Sequence, residues 1–488
     1  MTRLPGVACF LALLPAALVA CGGDTTETNG PPPLTQSELE DPAKCATCHP
    51  DQVREWSGSM HAYAADDPVF RAMNARGQRE TKGALGSFCV KCHAPMALRD
   101  GATKDGTNLD QVDAKLKGVT CFFCHSVTAV KGTHDAPLEL ATDGVLRASI
   151  QDPVKTTAHA ATYEPLLDRT QIGSASMCGS CHDIVTGAGA HIERTFEEWK
   201  GTVFSHGEVA LACGECHMNG REGFAAHAPG TFERKIHDHE MAAVDVALTD
   251  FPEKPAQREA VQGALDTTLQ SALCVKDAGG LYTVQLVLDN VGAGHAWPSG
   301  AAQDRRAWVE LEATSKGAVV YQSGVVPKGE SVTEIDDPDR WILRTCMFDA
   351  KKQPVDMFWQ AVTTGSDQLP GPVTVDMTDP AFYATHVVQS WPRDGEQPIA
   401  TPFDEVKATL HLVPVGLDVL DDLVKSGDLD PKVKDAMPEY TLAGATLTWT
   451  KKSATIQYLD QSFPVTCVAI GLSTGANNGN AAGKPACE

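Results

Sequence analysis

The sequence predicts an α+β multidomain protein, in which a mostly helical and loop-rich domain is followed by an antiparallel β-sandwich domain. Three observations predict this class. The chain has 488 residues, whereas a single hydrophobic core usually serves at most about 250–300 residues. Its repeated cysteine–histidine motifs all lie in the first half of the chain. Short segments that alternate apolar and polar residues begin only after about residue 250.

Residues 1–20 are expected to be a signal peptide. An apolar run from Leu4 to Ala20 follows an early arginine and is too short to span a bilayer comfortably. The order Leu-Val-Ala-Cys that ends at Cys21 resembles the lipobox of bacterial lipoproteins, which implies cleavage before Cys21 and a membrane anchor through a lipid on that cysteine. The alternative is an ordinary signal peptide followed by a chance cysteine. Residues 21–40 are polar and rich in proline and glycine, as in a flexible tether. We therefore expect an exported protein that is lipid-anchored in the cell envelope, at the outer membrane or facing the periplasm.

The charge balance restricts the class of partner. Acidic side chains outnumber basic ones by 63 to 40, which gives a net charge of −23. This balance argues against nucleic acid and against an anionic lipid surface as the partner. A basic partner would suit it better.

One short motif accounts for ten of the sixteen cysteines. Chance predicts about 0.02 copies of Cys-x-x-Cys-His in a chain of this composition. Five copies are present: Cys45, Cys48 and His49; Cys89, Cys92 and His93; Cys121, Cys124 and His125; Cys178, Cys181 and His182; Cys213, Cys216 and His217.

The spacing of the motif is that of covalent haem attachment. Two thiols three positions apart lie on one side of a helical turn, where they can form thioethers with the two vinyl groups of a haem, and the adjacent imidazole can bind the iron. Zinc sites normally use two Cys-x-x-Cys pairs per ion, and disulfides within the motifs would leave the five histidines unexplained. The sequence therefore predicts five covalently bound haem c groups, with the motif histidines as proximal iron ligands.

The five predicted haems must share one core. Residues 45–217 leave about 35 residues per haem, too few for five separate pockets. We expect a pentahaem cytochrome c domain over residues 41–250 whose folding depends on haem attachment.

Three segments resemble multihaem cytochromes of the cytochrome c-552/4 type, the cytochrome c-554-like family. The first runs from Trp56 through His61 to Ala62, "WSGSMHA". The second is "GVTCFFCHSV" around the third motif, and the third is "TFEEWKGTVFSHGEVALACGECHM", which leads into the fifth motif. The resemblance covers residues 41–250 and, in the tail, only residues 289–300.

His61 is the first candidate for a distal iron ligand. If residues 45–62 formed one helix, His49 and His61 would lie about 18 Å apart along its axis, too far to bind one iron. His61 should therefore serve the haem of another motif, which also fits the family segment around it. The alternative is a surface histidine.

The resemblance implies further distal ligands. His159 matches a family segment that brings a distal histidine, and His239 matches another, with His237 as its alternative. His295, in "GAGHAWPSG", would reach across from the second domain, or would be a turn histidine. His206 follows Trp199 at a spacing that departs from the one around His61, which places a ligand role in doubt. Five histidines lack a comparable context and are expected to be solvated or structurally hydrogen-bonded: His134, His191, His227, His386 and His411.

Residues 251–475 are predicted to form the β-sandwich, with a flexible tail at residues 476–488. The predicted strands are LYTVQLVLDN, RRAWVELEAT, AVVYQSGVV, RWILRTCMF, ATLHLVPV and ATLTWTKKSATIQYL. Residues 416–440 have helical spacing and are interpreted as a surface excursion. Four cysteines outside the motifs predict two disulfides, and of the three possible connectivities we favour Cys467–Cys487 with Cys274–Cys346.

Two functions remain open. The first is an electron carrier of the bacterial cell envelope that works between redox partner proteins, its donor and acceptor unknown. The second is a multihaem oxidoreductase with one open iron that acts on a small nitrogen or sulfur compound, resembling cytochrome c nitrite reductase or hydroxylamine-oxidising cytochromes. No motif carries the lysine that replaces the final histidine in that nitrite reductase. The carrier is therefore favoured, no catalytic residue is assigned, and the β-sandwich is interpreted as a scaffold or docking module.

Overall fold

The computed structural model describes residues 32–393, 396–454, 456–460, 463–472, 480–482 and 485–487. The predicted signal peptide 1–20, the lipid acceptor Cys21 and the first half of the predicted tether lie outside the described residues, as does part of the predicted tail. Across the described ranges, no helix combines the length and apolarity needed to cross a membrane.

The first part of the chain consists of short helices and two-stranded sheets. Helices begin where a side chain caps the first turn, as Asp41, Ser59, Asp67 and Thr120 do. The helices are α1 (Gln36–Leu39), α2 (Pro42–Cys45), α3 (Pro50–Ser57), α4 (Met60–Tyr63), α5 (Pro68–Glu80), α6 (Val90–His93), α7 (Pro95–Arg99), α8 (Cys121–His125), α9 (Ala175–Gly179), α10 (Thr195–Lys200) and α11 (Cys213–His217). The strands are β1 (Val127–Val130), β2 (Leu138–Leu140), β3 (Val145–Ala148), β4 (Ala160–Tyr163), β5 (Ile184–Val185), β6 (His191–Glu193), β7 (Gly220–Gly223) and β8 (Arg234–His237), paired in that order.

The second part is dominated by sheets. Helix α12 (Lys254–Thr268) leads directly into the first of its strands. The strands are β9 (Leu269–Asp277), β10 (Tyr282–Asn290), β11 (Arg306–Ser315), β12 (Ala318–Ser323), β13 (Trp341–Leu343), β14 (Thr345–Phe348), β15 (Pro354–Val355), β16 (Thr363–Ser366), β17 (Val387–Trp391), β18 (Glu405–Val413), β19 (Tyr440–Thr450), β20 (Ile456–Asp460), β21 (Phe463–Ile470) and β22 (Asn480–Ala481).

Two larger sheets share one core. The first has the strand order β20-β21-β9-β10-β17-β22, and the second has the order β12-β11-β18-β19, with β13 also paired to β11. A smaller sheet has the order β15-β14-β16. Pairing is antiparallel throughout these sheets except between β17 and β22. Leu286 of one large sheet and Leu311 and Leu410 of the other are fully buried in a single apolar cluster. The prediction of a mixed α+β protein with antiparallel sheets is confirmed.

Residues 416–440 are helical as predicted, but they are not a surface excursion. They form α13 (Leu417–Lys425) and α14 (Pro431–Ala436). Leu420 and Leu423 of α13 are fully buried in a cluster that includes Val69 of α5. Arg76 of α5 also donates a 2.7 Å hydrogen bond to Asp422. The interpretation was wrong because the apolar face of α13 packs against the motif-bearing part of the chain.

The two disulfides connect other cysteines than those favoured from the sequence. Cys274 is bonded to Cys467, and Cys346 is bonded to Cys487. Strands β9 and β21 are neighbours, and their register places Cys274 directly opposite Cys467, with Cα atoms 4.1 Å apart. The favoured pairing was wrong because strand adjacency in the sheet, which the sequence spacing does not reveal, determines which thiols meet. Cys487 links the predicted tail to β14.

Candidate haem-binding core

Each cysteine motif forms a single helical turn. In α8 and α11 the helix coincides with the motif itself. In the other three motifs the backbone N–H of the histidine donates to the carbonyl of the first cysteine, at 2.8 Å for His49, 3.2 Å for His93 and 3.0 Å for His182. Side chains three and four positions apart lie on one side of such a turn. The local structure therefore suits attachment of one planar group through two thiols and an imidazole.

Four motif histidines have their Nδ1 atom beside a backbone carbonyl oxygen. The partners are Ala225 for His49 at 2.7 Å, Ala64 for His93 at 3.1 Å, Ala242 for His217 at 2.9 Å and Arg147 for His125. Because a carbonyl only accepts hydrogen bonds, Nδ1 carries the proton and the lone pair remains on Nε2. This is the tautomer that a histidine needs in order to bind a metal through Nε2, with its other nitrogen held by an outer partner. These four side chains therefore fit a proximal ligand role.

The surrounding protein lowers the pKa of four candidate ligands, although three of them are only partly buried and His182 is exposed. Burial and then the charge of His182 lower the pKa of His61 to about 4. Desolvation and then the charge of His217 lower the pKa of His182 to about 4. Desolvation also lowers the pKa of His295 to about 4; a hydrogen bond to Ala296 opposes this shift, and the charge of His217 adds to it. Burial and the charge of His125 lower the pKa of His239 to about 3. Neutral imidazole is the form that binds iron, so these environments favour ligation at neutral pH.

Three pairs of histidines lie at closely similar separations. The ring centres are 6.2 Å apart for His49 and His159, 6.2 Å for His61 and His182, and 6.5 Å for His125 and His239. Two imidazoles on opposite sides of one iron, each bound at about 2 Å, would have ring centres about 6 Å apart. Each pair joins one motif histidine to one histidine from outside the motifs, so the arrangement fits a haem between the two rings.

The segment around the third motif helps to place His61. The backbone N–H of Val119 donates to the carbonyl of His61 at 2.8 Å, and the indole N–H of Trp56 donates to the carbonyl of Val119 at 2.7 Å. Gly118 has a φ of 71°, and a Cβ atom there would lie 2.6 Å from the carbonyl oxygens of His61 and Ala62. Glycine is required at this position by both its backbone conformation and the close approach.

His295 comes from the β-rich part of the chain. Its carbonyl accepts a 2.6 Å hydrogen bond from the Asn290 side chain, and its Nδ1 lies 2.7 Å from the carbonyl oxygen of Ala296. The charges of His217 and His182 both contribute to its lowered pKa. The β-rich part of the chain thus brings a histidine close to the fourth and fifth motifs.

His93 has a different neighbour. The phenyl ring of Phe70 is stacked on its imidazole, with ring centres 4.0 Å apart and planes within 1° of parallel. Phe70 belongs to α5 and is buried. Nothing in the sequence marks Phe70 as a neighbour of His93, because contact between α5 and the second motif depends on the tertiary fold.

The motifs also contact one another through their thiols. Hydrogen bonding with Cys121 lowers the pKa of Cys45, hydrogen bonding with Cys92 lowers that of Cys181, and hydrogen bonding with Cys213 lowers that of Cys178. These contacts join the first motif to the third, the second to the fourth and the fourth to the fifth. Groups attached at these thiols would lie side by side.

The remaining candidates lie in other settings. The ring of His237 is 5.4 Å from that of His239, and its Nδ1 is buried without a hydrogen-bond partner. His206 is exposed, with Nδ1 at 2.9 Å from the Ser205 hydroxyl. Met241 also lies in this region, with its sulfur 2.7 Å from Nδ1 of His61, a contact that the sequence does not predict.

Comparisons with known proteins agree with the resemblance seen in the sequence. The family described as cytochrome c554 and c-prime matches residues 44–126, which contain the first three motifs. A solved structure, the penta-heme cytochrome c552 from Thermochromatium tepidum, superimposes with a TM-score of 0.56 at 19% sequence identity, covering 85% of this chain and 98% of that chain. At that identity the superposition shows a shared fold. No curated protein matches the sequence.

Proposed function

We propose that the chain is a multihaem c-type cytochrome of the cytochrome c554-like type and acts as a pentahaem electron carrier of the bacterial cell envelope, a proposal that the family match over residues 44–126 supports. The observation that carries this proposal is the set of three histidine pairs at 6.2, 6.2 and 6.5 Å. Irons with histidine on both sides have no free position for substrate, which suits electron transfer and not catalysis. When bound, haem c supplies reversible one-electron oxidation and reduction of its iron.

We assign the axial ligands in pairs. The three pairs with ring centres 6.2, 6.2 and 6.5 Å apart support three assignments. The electrostatic interaction of His217 with His295 supports a fourth. The proposed pairs are His49 with His159, His125 with His239, His182 with His61, and His217 with His295. In each pair the protein holds two imidazoles from separate segments, which would tie those segments together once haem is attached.

Sequence features alone support our proposal for the location and the partners. We propose a lipid anchor at Cys21 and a position at the outer membrane or facing the periplasm. The net charge of −23 favours redox partner proteins with basic docking surfaces. Labelling of the protein by a radioactive fatty acid, abolished by Cys21→Ser, would test the anchor.

A second function is favoured by one specific observation. In the described part of the chain, no histidine ring faces His93 at the separation of the three pairs, and its stacked neighbour, the phenyl ring of Phe70, lies over the face of the imidazole and not beyond its Nε2, so the histidine pairs assign no second ligand to the second motif. A haem at the second motif with His93 as its sole protein ligand would have an open position for a small nitrogen or sulfur compound, as in a multihaem oxidoreductase.

The spin states of the irons distinguish the two functions. We would record the low-temperature electron paramagnetic resonance spectrum of the oxidised protein and count high-spin and low-spin haems. Five low-spin haems support the carrier. A stoichiometric high-spin haem that changes when nitrite or hydroxylamine is added supports the oxidoreductase, and its loss of response in a His93→Ala variant would locate it.

A further inference from the structure

Helix α3 carries a buried carboxylate. Glu55 is 4% exposed, although most residues of this short helix are partly or fully exposed. Removing a carboxylate from water is unfavourable unless charged or hydrogen-bonding partners replace the solvent. The position of Glu55 therefore depends on what surrounds its two oxygen atoms.

One oxygen of Glu55 is paired with a cation. Arg221 of β7 donates a 2.6 Å hydrogen bond to Oε1, and the guanidinium of Arg54 lies 3.8 Å from the same atom. The side chain of Arg221 is 36% exposed and that of Arg54 is 53% exposed. Both cations therefore approach Glu55 from the solvent side, with Arg221 as the closer partner.

The other oxygen faces His239. Oε2 accepts a 3.1 Å hydrogen bond from the backbone N–H of His239 and lies 3.9 Å from Nδ1 of the same residue. That Nδ1 atom is buried and has no hydrogen-bond partner. A movement of about 1 Å would bring Nδ1 within hydrogen-bond distance of Oε2.

This environment differs from that of the other candidate ligands. Seven of the eight other candidates have a neutral neighbour at Nδ1: a backbone carbonyl oxygen in six of them and the sulfur of Met241 in His61. The charged neighbour of His239 is a carboxylate. A carboxylate that accepts the Nδ1 proton makes the imidazole a stronger electron donor through Nε2.

We propose that Glu55 is a positioning residue for His239 and that its charge lowers the reduction potential of the haem between His125 and His239. The inference rests on the proposed pairing of these two histidines. Glu55 orients His239 because its Oε2 lies against both the backbone N–H and Nδ1 of that residue. It lowers the potential because a nearby negative charge stabilises the oxidised iron. The positive charge of Arg221 has the opposite effect. Glu55 therefore lowers the reduction potential of this haem and Arg221 raises it.

Two substitutions separate this role from a structural ion pair. Glu55→Gln keeps the shape and removes the negative charge, so we expect the potential of one haem to rise. Arg221→Gln removes the opposing positive charge, so we expect the potential of the same haem to fall. The measurement is a spectroelectrochemical titration of the full holoprotein, with electron paramagnetic resonance to identify the low-spin signal that moves. Asp152→Asn, in an exposed ion pair with Arg234, serves as the matched control and should move neither potential nor signal.

The outcomes are decisive for Glu55. Opposite shifts of one haem support the proposal. Shifts in the same direction, or no shift in either variant, would show that the pair is structural and overturn it. If Glu55→Gln fails to retain its haems, Arg221→Gln decides alone, because only a downward shift agrees with the proposal. The wild-type spectrum tests the histidine pairing separately: low-spin signals with unshifted variants would reject the role of Glu55 and leave the proposed carrier intact.

Discussion

The imidazoles of His61 and His182 lie with their ring centres 6.2 Å apart and their planes at 66°, although one follows the first cysteine motif and the other closes the fourth. His61 is partly buried and His182 is exposed, and desolvation by the surrounding protein lowers the pKa of each to about 4. The pair crosses between parts of the chain that local sequence does not connect. If one iron lies between the two rings, its haem cross-links two distant segments of the chain and is also a redox centre.

We expect His61→Ala to convert one low-spin haem to high spin without loss of covalent haem. The thioethers and the proximal imidazole of the fourth motif remain, while the distal ligand is lost. Electron paramagnetic resonance measures the spin state, and a pyridine haemochrome assay counts the haems. His206→Ala, at an exposed histidine, is the control and should leave the spectrum unchanged. An unchanged spectrum in His61→Ala would exclude His61 as a ligand.

His295→Ala is expected to give the same conversion at a different haem. Its imidazole lies in the β-rich part of the chain, within the electrostatic environment of His217. In the double variant with His61→Ala, two high-spin haems should appear, because the two ligands serve separate irons. His411→Ala is a suitable control, since that histidine lies on β18 with Nδ1 at 2.7 Å from Glu439. A single high-spin haem in the double variant would show that both histidines act on one iron.

The histidines proposed as proximal ligands and those proposed as distal ligands differ in how far the sequence could predict them. His49 follows Cys48 directly, so its role follows from local spacing in one helical turn. His159 lies opposite His49 only because distant segments meet, and the sequence suggested it through family resemblance alone. Phe70 and Glu55 lacked any such signal, because their importance depends on which imidazole each one contacts.

In the second part of the chain, local patterns likewise predict the strands but not the contacts between distant elements. Alternating apolar residues predicted strands such as β10 and β11 because each has one face in the core. The disulfide pairing was wrong because sheet order, with β21 beside β9, decides it. The packing of α13 on α5 was also missed, since an amphipathic helix shows that a face is buried but not what covers it.

Peptide mapping should recover a disulfide-linked peptide that contains Cys274 and Cys467. Both residues are buried, and they close a loop of 193 residues. Replacing both cysteines by alanine should lower the free energy of unfolding by about 2–5 kcal/mol. Denaturant unfolding of the holoprotein measures the loss, with the double substitution at Cys346 and Cys487 as the comparison. Recovery of Cys274 linked to Cys346 would contradict the structure.

Leu420→Ala should lower the free energy of unfolding by about 2–5 kcal/mol, because Leu420 is fully buried between α13 and α5 and alanine would leave a cavity. Leu281→Ala is the matched control, since Leu281 is 44% exposed and should tolerate the change within about 0.5 kcal/mol. Urea unfolding followed by far-ultraviolet circular dichroism measures both. Equal effects of the two substitutions would show that α13 is not packed against the motif-bearing part of the chain.

The stability contribution of Asp304 should depend on pH. Burial raises the pKa of this carboxyl from 3.8 to about 7, against the opposing charges of Arg306 and Arg305. A carboxyl whose folded pKa lies above its unfolded pKa binds more protons in the folded state, so it stabilises the fold below about pH 4 and loses that contribution as pH rises to about 7. Asp304→Asn cannot titrate. The difference in melting temperature between wild type and this variant should therefore shift in favour of the variant between pH 5 and pH 8.

Asp143→Asn provides a control of opposite sign. Hydrogen bonding to Arg147 lowers the pKa of Asp143 to about 2, so this carboxylate loses its contribution only in stronger acid. A pH-independent difference for Asp304→Asn would mean that Asp304 is ionised in the folded protein and paired with its neighbouring arginines.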